Sequence, residues 1–290
     1  MYKTTFMLAI AAISVLAPGC GPPATQERAG IPAGKSVAVK GSDTMVHLVT
    51  AWTESYTKAH PDAEISVTGG GSGTGIAALM NKTTDICAAS RSMSPEEKSQ
   101  ASQKGITLKE SVVARDGIAV VVNPSNPINE LTLEQIKKIY TGAYTNWGEV
   151  GGNSGEFVVL SRESSSGTYV FFQEHVLNKE DYTPRARLMP ATSAVIQSVE
   201  TDAPAIGYVG LGYAEQAGNR VKIIEVKADA NAPAIAPSEA TVRDGTYSVS
   251  RPLYFYTGAD ASPLASDFIQ FCLAQPGQTI VRQEGYVPVG

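Results

Sequence analysis

Histidine, cysteine and tryptophan are scarce, with 3 His, 3 Cys and 2 Trp in 290 residues. His47, His60 and His175 stand far apart, and Cys20, Cys87 and Cys272 share no ligand spacing with them. A structural or catalytic metal centre built on these residues is therefore not expected. Basic residues are also in deficit: 23 Lys and Arg against 28 Asp and Glu leave a formal charge of −5. Proteins that grip polyanionic nucleic acid carry the opposite balance, so that class is set aside. A site for a small anion survives this test, because it needs only local donors. No paired-carboxylate or Ser-His-Asp pattern stands out. The glycine-rich stretch 69–75 fails G-x-S-x-G, since Thr74 occupies its last position, and fails G-x-G-x-x-G as well. Gly30 to Ser36 falls short of a phosphate-cradling P-loop, with too few residues between its glycines and no strand before it.

What remains is ordinary globular material, 43% hydrophobic and 18% charged, long enough for two domains. The N-terminus reads as an export leader. Lys3 supplies a positive start, and residues 6–17 form an apolar stretch well short of the roughly 20 residues that span a bilayer. Leu16-Ala17-Pro18-Gly19-Cys20 resembles a bacterial lipoprotein cleavage site, with Leu16 one place early and Pro18 atypical. The expectation is a leader over 1–19, an acylated Cys20 and a Gly- and Pro-rich tether to residue 35, with plain secretion as the alternative. Cys87 and Cys272 lie in apolar stretches, so a disulfide and two separate buried thiols are both open.

From residue 36 one unit repeats: a short strand, a loop of small hydroxyl residues and glycine, then a helix. Strands are predicted over 37–40, 64–67 and 85–89, with helices over 45–60 and 76–82 and a helical start at 95–97. Residues 112–123 read as a strand pair interrupted at Arg115-Asp116-Gly117. A second set follows, with a helix over 132–141, a strand over 157–160, a helix over 169–177 and a strand over 205–209. Residues 228–237 look like an extended connection. A strand over 253–257 and a late helix over 266–273 are expected to return to the first domain. Alternating strands and helices indicate mostly parallel α/β sheets.

The loops carry the chemistry. Helix N-termini present free N–H groups and the positive end of the dipole. Glycine admits a ligand close to the backbone. Hydroxyls donate or accept. The loops after strands hold Ser42-Asp43-Thr44, Ser72, Ser90-Arg91 and Arg162 with Ser166-Gly167-Thr168. In open α/β sheets such loops gather at the strands' carboxyl ends, where ligands bind. Arg91 and Arg162 each offer a planar fork suited to two oxygens of an oxyanion. A salt bridge is the alternative for either, with Glu163 the nearest partner for Arg162. Asp43 would repel an anion unless that anion carries a proton to share. It would then favour phosphate over sulfate. Capping the helix after it is its other reading, as for Ser42 and Ser72.

As an ordered set, these residues resemble the phosphate-binding proteins of bacterial phosphate ABC transporters. The matching pieces are Gly41-Ser42-Asp43-Thr44-Met45, Gly69 to Ile76, Asp85-Ile86, Ala89-Ser90-Arg91, Asp116 to Pro124, Ile139-Tyr140-Thr141-Gly142, Asn146-Trp147, Arg162 with Ser166-Gly167-Thr168, and Ile206-Gly207-Tyr208. The resemblance implies a two-lobed periplasmic-binding-protein fold of type II, each lobe a mostly parallel sheet flanked by helices. Lobe I would be 36–114 with 242–290 and lobe II 115–241, hinged on crossing strands. It implies a monomeric, lipid-anchored receptor that closes on phosphate and hands it to permease subunits driven by a cytoplasmic ATPase, with no cofactor. Phosphate would be held by Ser42, Asp43, Thr44, Ser72, Arg91, Arg162, Ser166, Gly167 and Thr168. The well-studied branch has an Asp where this chain has Arg91. The proton-accepting role is therefore expected to have moved to Asp43, with Arg91 as a second cation. A receptor for sulfate or molybdate, an exported phosphatase-like enzyme on the same lobes, and a surface adhesin or sensor are the competing readings.

Overall fold

The structure is a computed structural model that describes residues 36–289, with Met1. The expected leader, Cys20 and the tether lie outside the described residues. Twenty elements follow in order. They are β1 (Ser36–Gly41), α1 (Val46–Ala59), β2 (Glu64–Thr68), α2 (Ser72–Met80), β3 (Ile86–Ala89), α3 (Pro95–Gln103) and β4 (Leu108–Val122). Next come β5 (Glu130–Thr132), α4 (Leu133–Thr141), β6 (Val158–Arg162), α5 (Gly167–His175), β7 (Arg187–Met189), α6 (Thr192–Thr201), β8 (Ala205–Gly210) and α7 (Leu211–Ala217). The chain ends with β9 (Lys222–Lys227), α8 (Glu239–Arg243), β10 (Ser250–Gly258), α9 (Pro263–Leu273) and α10 (Gln275–Gln283).

The strands run in the order β2-β1-β3-β10-β4-β8-β6-β7, with β9 branching from β4 and β5 pairing β9. Pairing is parallel in β2-β1-β3 and in β8-β6-β7. It is antiparallel wherever β4 or β10 takes part. The sheet is therefore mixed, and the parallel expectation holds only for the outer strands. The two long antiparallel strands carry the chain between the lobes of this two-lobed α/β fold.

The strand pair expected over 112–123 is a single strand. Arg115-Asp116-Gly117 reads as a turn signal, yet each of the three stays paired, opposite Pro252, Arg251 and Ser250. Gly117 is there for closeness rather than for turning. A Cβ on it would come within 2.9 Å of Val242. The last five residues of β4 are buried on both faces. Ile118, Val120 and Val122 pack with Tyr208, Phe172 and Trp147, while Ala119 and Val121 face Val195, Val199 and Tyr213. A strand's two-residue period thus supplies two cores with helices on either side. A further core joins Val39, Trp52, Ile86, Phe255 and Phe268 from β1, α1, β3, β10 and α9. Trp52 Nε1 donates to Gly277 O at 2.8 Å, tying α1 to α10.

Cys87 and Cys272 are unpaired and buried in different clusters, so the thiol reading holds. Burial pushes both thiols well above their ordinary pKa. No helix among the described residues is long and apolar enough to cross a membrane.

Candidate functional site

The repeated grammar places four loops at one point. After β1, Gly41 hands the chain to a short 3-10 turn at Asp43–Met45. This opening loop is pinned from behind: Tyr213 Oη donates to Asp43 O at 3.0 Å, and Tyr286 Oη donates to Thr44 O. After β2, Gly70 and Gly71 adopt φ of +115° and +95°, a region open to glycine. They start α2 at Ser72. A Cβ on Gly71 would stand 2.5 Å from Ser165 O. After β3 comes Ser90. β6 ends on Arg162, and Ser166 follows, capping α5 by accepting from the Thr168 and Tyr169 amides at 3.2 and 3.4 Å. Phe172 of α5 stacks on Tyr208 of β8 at 4.0 Å, fixing how that helix points.

The hydroxyls converge. Ser42 Oγ donates to Ser90 Oγ at 2.9 Å, the Ser90 amide donates to Ser72 Oγ at 3.0 Å, and Ser72 and Ser90 Oγ are 3.3 Å apart. Across from them, Thr44 Oγ1 and Thr168 Oγ1 meet at 2.8 Å, and the Gly73 amide donates to Ser165 O at 2.9 Å. A Cβ on Gly167 would lie 2.3 Å from Ser72 Oγ and 2.8 Å from Ser90 Oγ. Ser42, Thr44, Ser72, Ser90, Ser166 and Thr168 are each no more than 3% exposed. Buried hydroxyls persist only with partners; Ser166 has the amides of its own helix, and the other five have chiefly one another, from loops distant in sequence.

Arg162 is 2% exposed. Its Nη2 donates to Asp43 Oδ2 at 2.7 Å and to Pro190 O at 3.2 Å, Nη1 to Thr192 Oγ1 at 2.8 Å and Nε to Met189 O at 3.2 Å. It does not bridge to Glu163. Asp43 Oδ1 accepts from the Gly70 amide at 3.2 Å. Its side chain caps no helix; it joins the opening loop to the arginine and the glycine-rich loop. Ser42 and Ser72 likewise make no side-chain caps here.

Arg91 departs from expectation. It takes no hydrogen bond in the hydroxyl cluster; Nη1 and Nη2 grip both oxygens of Glu97 at 2.7 and 2.8 Å. Glu97 is committed twice, because it also accepts from the Ser94 amide in the capping box that starts α3. Burial works to raise the Glu97 carboxyl, but the bonds from Arg91 and Ser94 outweigh it and hold it below its ordinary value. The bond to Glu97 also raises the Arg91 guanidinium. Arg91 thus holds the start of α3 with its charge paired to Glu97, while its Nε is buried without a protein partner.

Several residues at the cluster went unselected in the sequence. Ser90 sits beside Arg91, whose charge is the stronger sequence signal for an anion. Thr192 follows β7, three residues long and too short for periodicity to reveal. Arg251 and Asp116 form a wholly buried ion pair of 2.9 Å between β10 and β4. Burial pushes the Asp116 carboxyl up and works against the Arg251 charge, while each partner stabilises the charge of the other. The available signal was a charge inside an otherwise apolar strand, which demands a partner. With Asp43–Arg162, Arg91–Glu97 and Asp116–Arg251 all paired, the three ion pairs around the cluster sum to no net charge. Hydroxyls, amides and the N-termini of α2 and α5 add to what Arg162 can offer an anion.

Two lobes closing polar loops at the carboxyl ends of their strands define a solute-binding protein, and a family model described as a PBP superfamily domain matches residues 26–275. Phosphate-binding protein PstS of Staphylococcus haemolyticus is 35% identical over 254 residues, covering 86% of this chain and 79% of that one. The chain belongs to the PstS family of phosphate-binding proteins. Among solved structures, a protein of Clostridium perfringens described as a phosphate ABC transporter substrate-binding protein with bound phosphate matches at a TM-score of 0.80. It is 34% identical, over 88% of this chain and 100% of that one. An ABC-type phosphate transport receptor of Vibrio cholerae matches at 0.69, with 30% identity over 87% and 99% of the two chains.

Proposed function

We propose that this chain captures inorganic phosphate between lobe I, residues 36–114 with 242–290, and lobe II, residues 115–241, and delivers it to an ABC transporter. One observation carries the reading: loops from both lobes bring Ser42, Thr44, Ser72, Ser90, Gly167 and Thr168 together out of solvent, with Ser166 capping α5 and Arg162 tied to the same opening loop through Asp43. The naming of relatives as phosphate-binding proteins supports it. Burial of the cluster means that an anion enters only when the lobes separate, so closure on the crossing strands is part of binding. Binding and release, without bond cleavage, is the activity. A lipid on Cys20 holds the monomer at the membrane surface, where permease subunits, with their cytoplasmic ATPase, receive the anion.

Asp43 supplies the preference for phosphate. A carboxylate only accepts. Beside Arg162 it accepts the proton of hydrogen phosphate and finds none on sulfate. Calorimetric titration of the protein, freed of endogenous ligand, with phosphate, sulfate and molybdate tests the proposal. Tight binding of phosphate alone is expected. Equal weak binding of all three anions would overturn it.

A further inference from the structure

The crossing strands carry more than a connection. Arg251 of β10 is 1% exposed and faces Asp116 of β4, with Nε and Nη2 donating to Asp116 Oδ2 at 3.2 and 2.9 Å. The same Nη2 donates to Thr168 Oγ1 at 3.0 Å and stands 3.5 Å from Thr44 Oγ1. Nη1 is buried without a protein partner. The guanidinium lies over the Phe171 ring, 5.5 Å from its centroid, on the helix that bears Thr168. One cation therefore touches the hydroxyl pair through which the opening loop and α5 meet.

The geometry points to Arg251 as a positioning residue for the anion, acting through Thr168 and Thr44. This rests on the phosphate reading above. A hydroxyl has one proton and two lone pairs. Arg251 fills a lone pair on Thr168, and the two threonines share one proton between their oxygens 2.8 Å apart. Whichever way that proton points, the other hydroxyl keeps its own proton free for an anion. Donation from a cation into such a chain strengthens the terminal donor.

Arg251 also occupies the carboxylate that would compete. Asp116 Oδ2 takes both its bonds, and Oδ1 accepts from the Leu211 amide at 3.0 Å. Asp116 and Thr44 are close neighbours: a Cβ on Gly210 would meet Thr44 Cγ2 at 2.7 Å and Asp116 Oδ2 at 3.0 Å. Stripped of Arg251, this buried carboxylate draws the threonine protons to itself and repels the incoming anion.

The test is a double-mutant cycle read by phosphate titration. Arg251→Met with Asp116→Asn replaces the buried pair without leaving a charge, a change that folds tolerate; thermal melting checks that the protein is folded. In this folded variant, phosphate affinity is expected to fall about tenfold or more. In a Thr168→Val background the same pair of changes should cost less than threefold, because the hydroxyl through which Arg251 acts is gone. Arg251→Met alone should bind more weakly than the pair variant. Unchanged affinity in the folded pair variant, or full additivity with Thr168→Val, overturns the assignment and leaves Arg251 a strand clamp. Absence of phosphate binding by the unaltered protein would instead overturn the proposed function itself.

Discussion

Asp43 and Arg162 stand 119 positions apart in sequence and 2.7 Å apart in space. Their side chains are 15% and 3% exposed, so the pair is largely withdrawn from water. It joins the first loop of one lobe to the strand end of the other, and it sets a carboxylate beside a guanidinium at the candidate site. Removing one partner of such a pair strands the other charge. Arg162→Ala should weaken phosphate binding by about a hundredfold or more and lower stability by roughly 3 kcal/mol. Titration and denaturant unfolding measure the two effects. Near-normal affinity in a folded variant would mean that the anion sits elsewhere.

Asp43→Asn separates charge from shape. The amide oxygen can still accept from Arg162 or Gly70, so folding should survive. The variant loses the acceptor-only carboxylate and gains donors. The ratio of sulfate to phosphate dissociation constants should therefore shrink by at least tenfold, chiefly because sulfate binding improves. A ratio equal to that of the unaltered protein would remove Asp43 from selectivity.

Arg91 offers the opposite outcome. Its charge is spent on Glu97, a capping-box residue, so Arg91→Met should leave phosphate affinity within about threefold while costing about 1 kcal/mol of stability at the start of α3. The Glu97 carboxyl is held below its ordinary value in the folded protein. Such a group contributes stability above its unfolded pKa and loses it as pH falls through the lower, folded value. Acid unfolding of Glu97→Gln should therefore lack part of the pH dependence seen below about pH 4.5 in the unaltered protein. Parallel acid profiles would contradict the assignment, as would a large loss of affinity in Arg91→Met.

The strand-loop-helix grammar was readable because each unit is local. Ser42, Ser72 and the Ser166-Gly167-Thr168 turn announce themselves by glycine, hydroxyl and the onset of a helical period. The partners of these loops were not readable, because pairing is set by packing. Asp43 looks like a helix cap until Arg162 is placed beside it. Arg91 looks like an anion ligand until Glu97, six positions on, turns back to meet it. Arg115-Asp116-Gly117 looks like a turn because its local chemistry is that of one. The partner strand β10, contributed from more than 130 positions away, holds it extended. β7, which leads to Thr192, is three residues long, too short for periodicity to reveal.

Cys87 and Cys272 should behave as two inert thiols. They are buried in separate clusters, and burial disfavours the reactive thiolate. A thiol reagent should label neither in the folded protein and both after unfolding, and a reductant should leave the melting temperature unchanged. Rapid labelling without denaturant, or a reductant-dependent melt, would contradict this placement.

Gly167 gives the sharpest test of closure. It begins α5 without a left-handed φ, so alanine suits its backbone there and gains up to about 1 kcal/mol of helix propensity over glycine. The three atoms nearest to the added carbon all belong to Ser72 and Ser90, in the facing loops. The obstruction comes from the facing loops, where that carbon would stand 2.3 Å from Ser72 Oγ and 2.8 Å from Ser90 Oγ. Both oxygens belong to fully buried residues with bonded neighbours and have little room to retreat. Gly167→Ala should therefore fold at least as stably as the unaltered protein without phosphate, yet hold the lobes apart. Phosphate affinity should drop about tenfold or more, the cost of overpacking a well-packed contact. The compaction on adding phosphate, measured by small-angle scattering, should shrink with it. Full compaction with undiminished affinity would show that Ser72 and Ser90 do not meet α5 when the anion is bound, and that the hydroxyl cluster is not the binding arrangement.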